Sequence, residues 1–130
     1  LKCTLTGLLR MTCPFCDHSH SFIESSLSLA RLDKYPVSPG HTLITTKRHI
    51  SSYFEATPDE VSGLWQLVGE VKQYLDSKHK PTGYNIGINV GADAGQTVMH
   101  MHIHIIPRYK GDMEDPRGGV RGVIPNKQKY

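Results

Sequence analysis

The segment from residue 100 to residue 106 reads His-Met-His-Ile-His-Ile-Ile, and it constrains the fold more than any other stretch of the chain. Successive side chains of a β-strand point to opposite faces, so a strand here would place His100, His102 and His104 on one face. Neighbouring imidazoles on that face would lie about 6.6 Å apart. Imidazoles are costly to bury without partners, so the alternative to a functional site is an exposed, histidine-rich strand face. The apolar residues that would point the other way, into a core, are Met101, Ile103 and Ile105.

The rest of the chain predicts an antiparallel sheet with one long helix packed on it. Strand-like stretches fall near 21–25, 27–32, 41–46 and 84–90. Thr57 is a predicted N-cap, Pro58 takes the first helical position, and Glu60 completes a capping box. Apolar residues at helical spacing extend this helix over about 58–79: Val61, Leu64, Trp65, Val68, Val71, Tyr74 and Leu75. Strands joined by short turns, with one helix on a face, predict an α+β fold.

Length and composition limit the classes of protein that this chain can represent. We expect one domain over 1–130, with 1–12 as an N-terminal extension and 111–130 as a tail rich in Gly, Pro and charged residues. No run of eighteen apolar residues occurs, so no membrane partner is expected. A net charge of +3 is far from a nucleic-acid-binding signature. Three cysteines and a polar N-terminal stretch favour a cytoplasmic location.

The histidines and the loop before them carry the chemistry. Histidine can act near neutral pH as a nucleophile, a proton carrier or a metal ligand. A zinc site made by all three is an alternative, although a straight row is too long for all of them to reach one ion without bending. In the preceding loop, Gly91 and Gly95 let backbone amides approach an anion, and Gln96 and Thr97 supply donors. This loop predicts a phosphate cradle, and an ordinary hairpin turn is its alternative.

Cys13-Pro14-Phe15-Cys16 is half of a tetrahedral zinc site. Two further ligands are needed, and His49 and His100 are the candidates. His18 and His20 are rivals for His49 because both follow the cysteines closely in sequence. The alternative interpretation is two free buried thiols. Cys3 has no assigned role.

The stretch from Gly95 to Arg108 resembles the signature of the histidine triad (HIT) superfamily, whose motif is His-φ-His-φ-His-φ-φ with φ apolar. Pro39-Gly40-His41 is similar to the second landmark of that family, and the resemblance covers about 13–110. Gly-Gln-Thr before the histidines and Pro-Arg after them are similar to the fragile-histidine-triad, dinucleoside polyphosphate hydrolase branch. The phosphoramidase branch typically has Ser where Thr97 stands. The resemblance implies a five-stranded antiparallel sheet with one long and one short helix, and a homodimer.

The resemblance also implies an activity, which is cleavage of dinucleoside polyphosphates such as diadenosine tri- or tetraphosphate at the α-phosphate. His102 would attack phosphorus to form a nucleotidyl-histidine, and His104 would assist at the phosphate. His100 is assigned to the catalytic set and also, with Cys13, Cys16 and His49, to a structural zinc site similar to that of zinc-containing relatives. Asp33 matches a ribose-binding position and His41 a buried supporting histidine. The positions assigned to the substrate are Asp33, His41, Asn89, Gly95, Gln96 and Thr97.

Several alternatives remain open from the sequence. A nucleoside phosphoramidase, or a phosphorylase that uses phosphate as acceptor, would employ the same central histidine. A nucleotide-binding signalling module with weak turnover is a third class. Trp65 and Tyr74 are expected to pack in the core or a dimer interface, with a base pocket as the alternative. The tail residues that would contact polyphosphate, or else form a solvated surface, are Arg108, Lys110, Arg117 and Arg121.

Overall fold

The computed structural model describes residues 13–130, and its main feature is a five-stranded antiparallel sheet with one α-helix packed on it. The elements are β1 (Ile23–Glu24), β2 (Ser28–Leu32), β3 (Thr42–Thr46), α1 (Pro58–His79), β4 (Gly83–Ile88) and β5 (His102–Arg108). The sheet order is β1-β2-β3-β5-β4, so β5 lies between two strands. The α+β prediction is confirmed. The predicted N-terminal extension, 1–12, and Cys3 lie outside the described residues.

Strand β5 is fixed on both sides by antiparallel pairing. On the β3 side, Thr45 lies opposite His102 and Leu43 lies opposite His104. On the β4 side, Gly87 lies opposite His104. Because a slip of one residue would turn every side chain to the other face, this double pairing determines which face the histidines occupy.

The two faces of β5 have different roles. Met101, Ile103 and Ile105 are buried and pack in the core with α1, as the period-two pattern predicts. The side chains between them, His102 and His104, therefore lie on the sheet face opposite α1. The remaining core side chains come mainly from α1 and the neighbouring strands: Ala30, Ile44, Ile50, Leu64, Leu67, Val68, Val71 and Leu75.

Helix α1 begins and ends where the sequence predicts. The Thr57 hydroxyl accepts from the Glu60 N–H, and Glu60 Oε1 accepts from the Thr57 N–H at 2.9 Å, which completes the capping box. Arg48 donates to both carboxylate oxygens of the buried Glu60 and ties the helix start to the segment after β3. The helix ends at His79, and Lys80 takes a left-handed conformation with φ of 53°.

The structure differs from the sequence prediction at the start of β5. The predicted strand over 100–106 begins two residues later, at His102. The cause is local, since the Met101 N–H donates to the Ile50 carbonyl at 2.7 Å instead of joining the ladder. The predicted strand over 84–90 ends at Ile88, and the one over 21–25 is reduced to Ile23–Glu24.

Outside these elements, the described chain forms short 3-10 turns. The expected short helix takes this form, for example at Tyr53–Glu55, and α1 is the single α-helix of residues 13–130. The tail also contains two such turns, Gly119–Val123 and Pro125–Lys127, the first of which packs near β4. Within the described residues, no helix has the length and apolar character needed to cross a membrane.

Candidate active site

The His102 ring is held by one backbone hydrogen bond. Its Nδ1–H donates to the His100 carbonyl oxygen at 2.8 Å, because a carbonyl can only accept. In the neutral imidazole the Nε2 atom then carries the lone pair. His102 is buried, yet it lines the large cavity on this face of the sheet. The geometry therefore provides an unprotonated ring nitrogen that suits nucleophilic attack.

His104 lies in a chain of polar side chains that reaches Asp33. His41 Nε2 is 3.0 Å from His104 Nδ1 and 3.3 Å from Asp33 Oδ2. The Val37 N–H donates to His41 Nδ1 at 3.1 Å, so a neutral His41 carries its proton on Nε2. That proton can be donated to His104 Nδ1, which leaves the His104 proton on Nε2. His104 thus complements His102, because one ring offers an N–H and the other a lone pair.

The pKa of His104 is lowered to about 4, chiefly because burial penalises its charged form. The nearby His102 and His41 rings lower it further, while Asp33 acts in the opposite direction. Burial also lowers the pKa of His41, against a raising effect of Asp33. His104 is therefore neutral at pH 7.

A cavity of about 1390 Å³ opens in front of these histidines. Known ligand pockets for small molecules usually measure about 300–1,000 Å³, so a nucleotide with a polyphosphate chain fits in this volume. The structure brings most predicted substrate positions to its wall. The predicted residues that line the cavity are Asp33, His41, Asn89, Gly95, Thr97, His102 and His104.

Gln96 is the exception, because its side chain turns into the loop. Its Oε1 accepts from the Gly91 N–H at 2.9 Å, and its Nε2 donates to the carbonyls of Ser51 and Val98. The residue is 4% exposed and is not among the residues that line the cavity. The Gln96 side chain therefore braces the loop from within and does not lie at the cavity wall, and its assignment to the substrate stays a prediction.

Four predicted zinc ligands come together beside the sheet. The ligand atoms of Cys13, Cys16, His49 and His100 all lie within 4.8 Å of one another. The Sγ–Nδ1 distances are 3.4 Å for Cys13–His100, 3.2 Å for Cys16–His49 and 3.7 Å for Cys16–His100. A tetrahedral zinc with ordinary bond lengths gives S–N separations of about 3.6 Å. The donor set and its spacing therefore fit a structural Cys₂His₂ site.

The orientation of His100 agrees with this fit. Its Nε2–H donates to the Thr46 carbonyl at 2.7 Å, so Nδ1 carries the lone pair that faces the sulfurs. Cys13 is a free thiol. His18 and His20, the rivals for His49, are not part of the cluster.

The placement of His100 argues against two alternatives, an exposed histidine-rich strand face and a zinc site made by all three histidines of the motif. Its side chain is fully buried and His102 is 8% exposed, so the motif is not an exposed histidine-rich face. His100 lies among the cysteines while His104 lies beside His41 and Asp33, and no described cluster of possible metal ligands contains all three histidines of the motif. The expectation of one continuous row is therefore wrong at His100, because the strand begins after it.

The remaining expectations concern surface groups. Trp65 is 43% exposed and donates to the Tyr53 hydroxyl, so it is not a core residue of the described chain. Tyr74 lines the cavity instead of lying in the core. Arg108 pairs with Asp112 and Asn85. Arg108 and the other three basic tail residues, Lys110, Arg117 and Arg121, are absent from the cavity wall, which favours the structural interpretation over polyphosphate contact.

Two side chains at the cavity wall, Phe15 and Arg31, were not predicted from the sequence. The Phe15 ring packs edge-on against the His102 ring, with centroids 5.0 Å apart. Arg31 is buried at 6% exposure and contacts the Phe15 segment. The available signal was a charged residue among the apolar residues Leu29, Ala30 and Leu32 of β2.

The chain is similar in sequence to known proteins of one family. The model of the HIT domain family matches residues 17–111. Over 97 residues the chain is 39% identical to bis(5'-nucleosyl)-tetraphosphatase [asymmetrical] of Schizosaccharomyces pombe, a match that covers 75% of this chain and 53% of that protein. The chain thus spans about half the length of that relative. Over 123 residues it is 30% identical to an uncharacterised HIT-like protein of Saccharolobus solfataricus, covering 90% and 86% of the two chains.

A solved structure of a zinc-bound family member agrees with the fold. The crystal structure of a zinc-bound histidine triad family protein from Mycobacterium smegmatis superposes with a TM-score of 0.71 at 32% identity. The match covers 81% of each chain.

The depressed pKa of His104 predicts how stability depends on pH. Its folded value of about 4 lies below the ordinary 6.5, so the native state favours the neutral ring. The contribution of the neutral His104 ring to the free energy of unfolding is complete above pH 6.5, and it is lost as the pH falls from 6.5 towards 4. We expect the urea midpoint to fall less between pH 7 and pH 5 in His104→Asn than in the wild type.

His20→Asn is the control, because the His20 side chain is 78% exposed and should leave the wild-type pH dependence unchanged. An equal loss of midpoint in His104→Asn and the wild type would show that His104 makes no such contribution.

Proposed function

Because the chain belongs to the HIT domain family, we propose that it cleaves dinucleoside polyphosphates at the α-phosphate through a nucleotidyl-histidine intermediate. The observation that carries this proposal is the hydrogen bond from His102 Nδ1–H to the His100 carbonyl, which leaves the Nε2 lone pair for attack. The name of the fission yeast relative supports the substrate class.

In the first step, the His102 Nε2 lone pair forms a bond to the α-phosphorus. The bond between that phosphorus and the bridging oxygen breaks, and the rest of the polyphosphate leaves with the electron pair. His104, with its proton on Nε2, donates a hydrogen bond to the negative charge that develops on the phosphoryl oxygens. The N–H groups of Gly91, Gly95 and Gln96 donate within the loop itself, so further hydrogen bonds to the phosphate would come from side chains at the cavity wall.

In the second step, water attacks the phosphorus of the nucleotidyl-histidine. The P–N bond breaks, its electron pair returns to His102 Nε2, and one water proton is released to solvent. The products are a nucleoside monophosphate and the free enzyme. Splitting one displacement into two is the advantage of covalent catalysis.

Residues at the cavity wall are proposed to hold the substrate. Asp33 would accept hydrogen bonds from the ribose hydroxyls, and Asn89 and Thr97 would contact phosphate oxygens. His41 supports the site from behind His104. The proposed domain over 1–130 includes the tail, whose arginines are bound within the tail itself or to β4.

We also propose that Cys13, Cys16, His49 and His100 hold a structural zinc ion. When bound, the ion would fasten the Cys13–Cys16 segment to the sheet and fix the carbonyl of His100, which accepts from His102. Thiolate ligands require a reducing compartment, so a cytoplasmic location is part of this proposal.

The activity proposal is tested by measuring release of nucleoside monophosphate from diadenosine tri- and tetraphosphate. We expect His102→Ala to lower kcat by about a thousandfold or more, because the nucleophile is lost, while binding of AMP measured by calorimetry is retained. His79→Gln, which changes a histidine outside the cavity, should keep wild-type turnover.

Adenosine phosphoramidate, and phosphate added as an alternative acceptor, are assayed side by side with these substrates. Faster turnover of the phosphoramidate, or products that contain the added phosphate, would replace the proposed hydrolysis with the corresponding alternative. Turnover of His102→Ala at the wild-type rate would overturn the assignment of the nucleophile.

Zinc is tested by metal analysis of protein that is purified without a histidine tag and in a reducing buffer. We expect close to one equivalent per chain, and loss of both zinc and thermal stability in Cys13→Ser, because structural zinc contributes folding free energy. Cys3→Ser, at the cysteine with no assigned role, should retain zinc. The proposal would be contradicted if the wild-type protein contained no zinc and Cys13→Ser had the same thermal stability as the wild type.

A homodimer is the proposed assembly. β4 is an edge strand of the described sheet, and the exposed Ile86 and Trp65 provide apolar surface on β4 and α1. We expect light scattering coupled to size exclusion to give the mass of two chains, and Trp65→Glu to shift the protein toward the monomer. A single-chain mass for the wild type at micromolar concentration would rule this assembly out.

A further inference from the structure

Arg31 is a buried cation on the same sheet face as the two catalytic histidines. It lies opposite Leu43 in the β2–β3 pairing, and Leu43 in turn lies opposite His104. The residue is 6% exposed, and within the described residues it forms no salt bridge with a carboxylate. Burying a guanidinium without an ionic partner is costly, and an apolar side chain of similar volume would be cheaper at this position. Because burial of this guanidinium is costly in free energy, we expect Arg31 to have a specific role.

The guanidinium of Arg31 donates hydrogen bonds to the segment between Cys13 and Cys16. Its Nη1 donates to the Pro14 carbonyl at 3.1 Å and its Nη2 to the Phe15 carbonyl at 3.3 Å. Its Cζ also lies 5.2 Å from the centroid of the Phe15 ring, a cation–π contact. Arg31 therefore fixes both the backbone and the ring of Phe15, whereas its Nε finds no partner among residues 13–130.

The Phe15 ring in turn packs against the His102 ring and restrains its orientation. It packs edge-on against His102 with centroids 5.0 Å apart and an interplanar angle of 73°. It also approaches His100, whose ring centroid is 6.1 Å away. One hydrogen bond at Nδ1 holds only one edge of the His102 ring, so packing against Phe15 supplies a second restraint on its orientation.

We propose that Arg31 is a positioning residue for the nucleophile, and that it acts through Phe15 to hold the His102 ring in the orientation required for attack on the α-phosphorus. This inference rests on the proposed function. Arg31 and Phe15 both line the cavity. A positioning role lowers kcat with little change in KM, whereas a direct contact of Arg31 with the nucleotide would mainly raise KM. A displacement of about 1 Å in a reacting group can cost about a hundredfold in rate.

The kinetic test uses Arg31→Met, Arg31→Lys and Phe15→Leu with diadenosine tetraphosphate. We expect each to lower kcat by about ten- to a hundredfold with KM changed less than about threefold. Arg31→Lys should not restore the rate, because lysine keeps the charge but lacks the planar fork that reaches two carbonyls. Phe15→Tyr keeps the aromatic ring, so its kcat should stay within about threefold of the wild-type value, unlike that of Phe15→Leu.

Arg121→Met is the matched control. Arg121 makes the same kinds of contact, donating to the carbonyls of Lys127 and Gln128 and stacking on the Tyr130 ring at 4.7 Å, but it does so in the tail. Its replacement should leave kcat unchanged. A fall in kcat equal to that of Arg31→Met would mean that such contacts act only through overall stability, and it would overturn the proposal.

A second measurement reports the His102 ring without using activity. In protein labelled with ¹⁵N-histidine, the wild type should show one His102 ring signal with the proton on Nδ1. Arg31→Lys and Phe15→Leu should broaden or split that signal at unchanged far-ultraviolet circular dichroism, and Phe15→Tyr should not. Unperturbed spectra, with kcat within twofold of the wild type, would overturn the positioning role.

The two proposals fail in different ways. A wild-type protein that cleaves none of the dinucleotides would refute the proposed function, and the His102 spectra would still decide whether Arg31 and Phe15 orient the ring. If Arg31→Met does not fold, Arg31→Lys and Phe15→Leu decide the outcome. Normal kcat in both of these variants would refute the inference.

Discussion

The hydrogen bond between His102 Nδ1–H and the His100 carbonyl, 2.8 Å long, is the interaction on which the rest of the site depends. It fixes the ring tautomer, and the tautomer decides which nitrogen carries a lone pair. The carbonyl can accept this proton because residue 100 stands outside the strand ladder, and the Met101 N–H bonds to the Ile50 carbonyl. His100 is held there by its own bond to the Thr46 carbonyl. A short departure from regular strand geometry thus sets the chemistry of the next histidine.

The same strand connects the core to the chemistry. Ile103 and Ile105 pack in the core with α1, and the histidines between them face the cavity. Because β3 and β5 are paired at Thr45–His102 and Leu43–His104, the ring positions follow from the packing of the hydrophobic face. The packing that stabilises the fold therefore also holds the His102 ring in place. Core residues of α1, such as Leu64 and Val71, contribute to the site in this indirect way.

The sequence predicted those features that follow from local periodicity and capping chemistry. Thr57 and Glu60 gave the start of α1 correctly, and alternation gave the core face of β5. Periodicity does not say where a ladder begins, because that depends on long-range contacts such as Met101 with Ile50. The inward turn of Gln96 was likewise invisible, since its partner Ser51 lies 45 positions away. Arg31 and Phe15 were not predicted from the sequence, because 16 positions separate them and only the folded structure brings their side chains into contact.

The protonation states of the histidines bear on the type of leaving group that the site suits. The pKa of His104 lies near 4, so at neutral pH this ring is uncharged and acts as a hydrogen-bond donor more readily than as a strong acid. An amine or an alkoxide needs a proton as it departs, whereas a polyphosphate leaves as a stable anion. Under the proposed function, a neutral His104 is better suited to a polyphosphate leaving group than to an amine. The protonation state of His104 does not depend on Thr97 or on the Pro107-Arg108 pair, so it supports the proposed polyphosphate substrate independently of these residues.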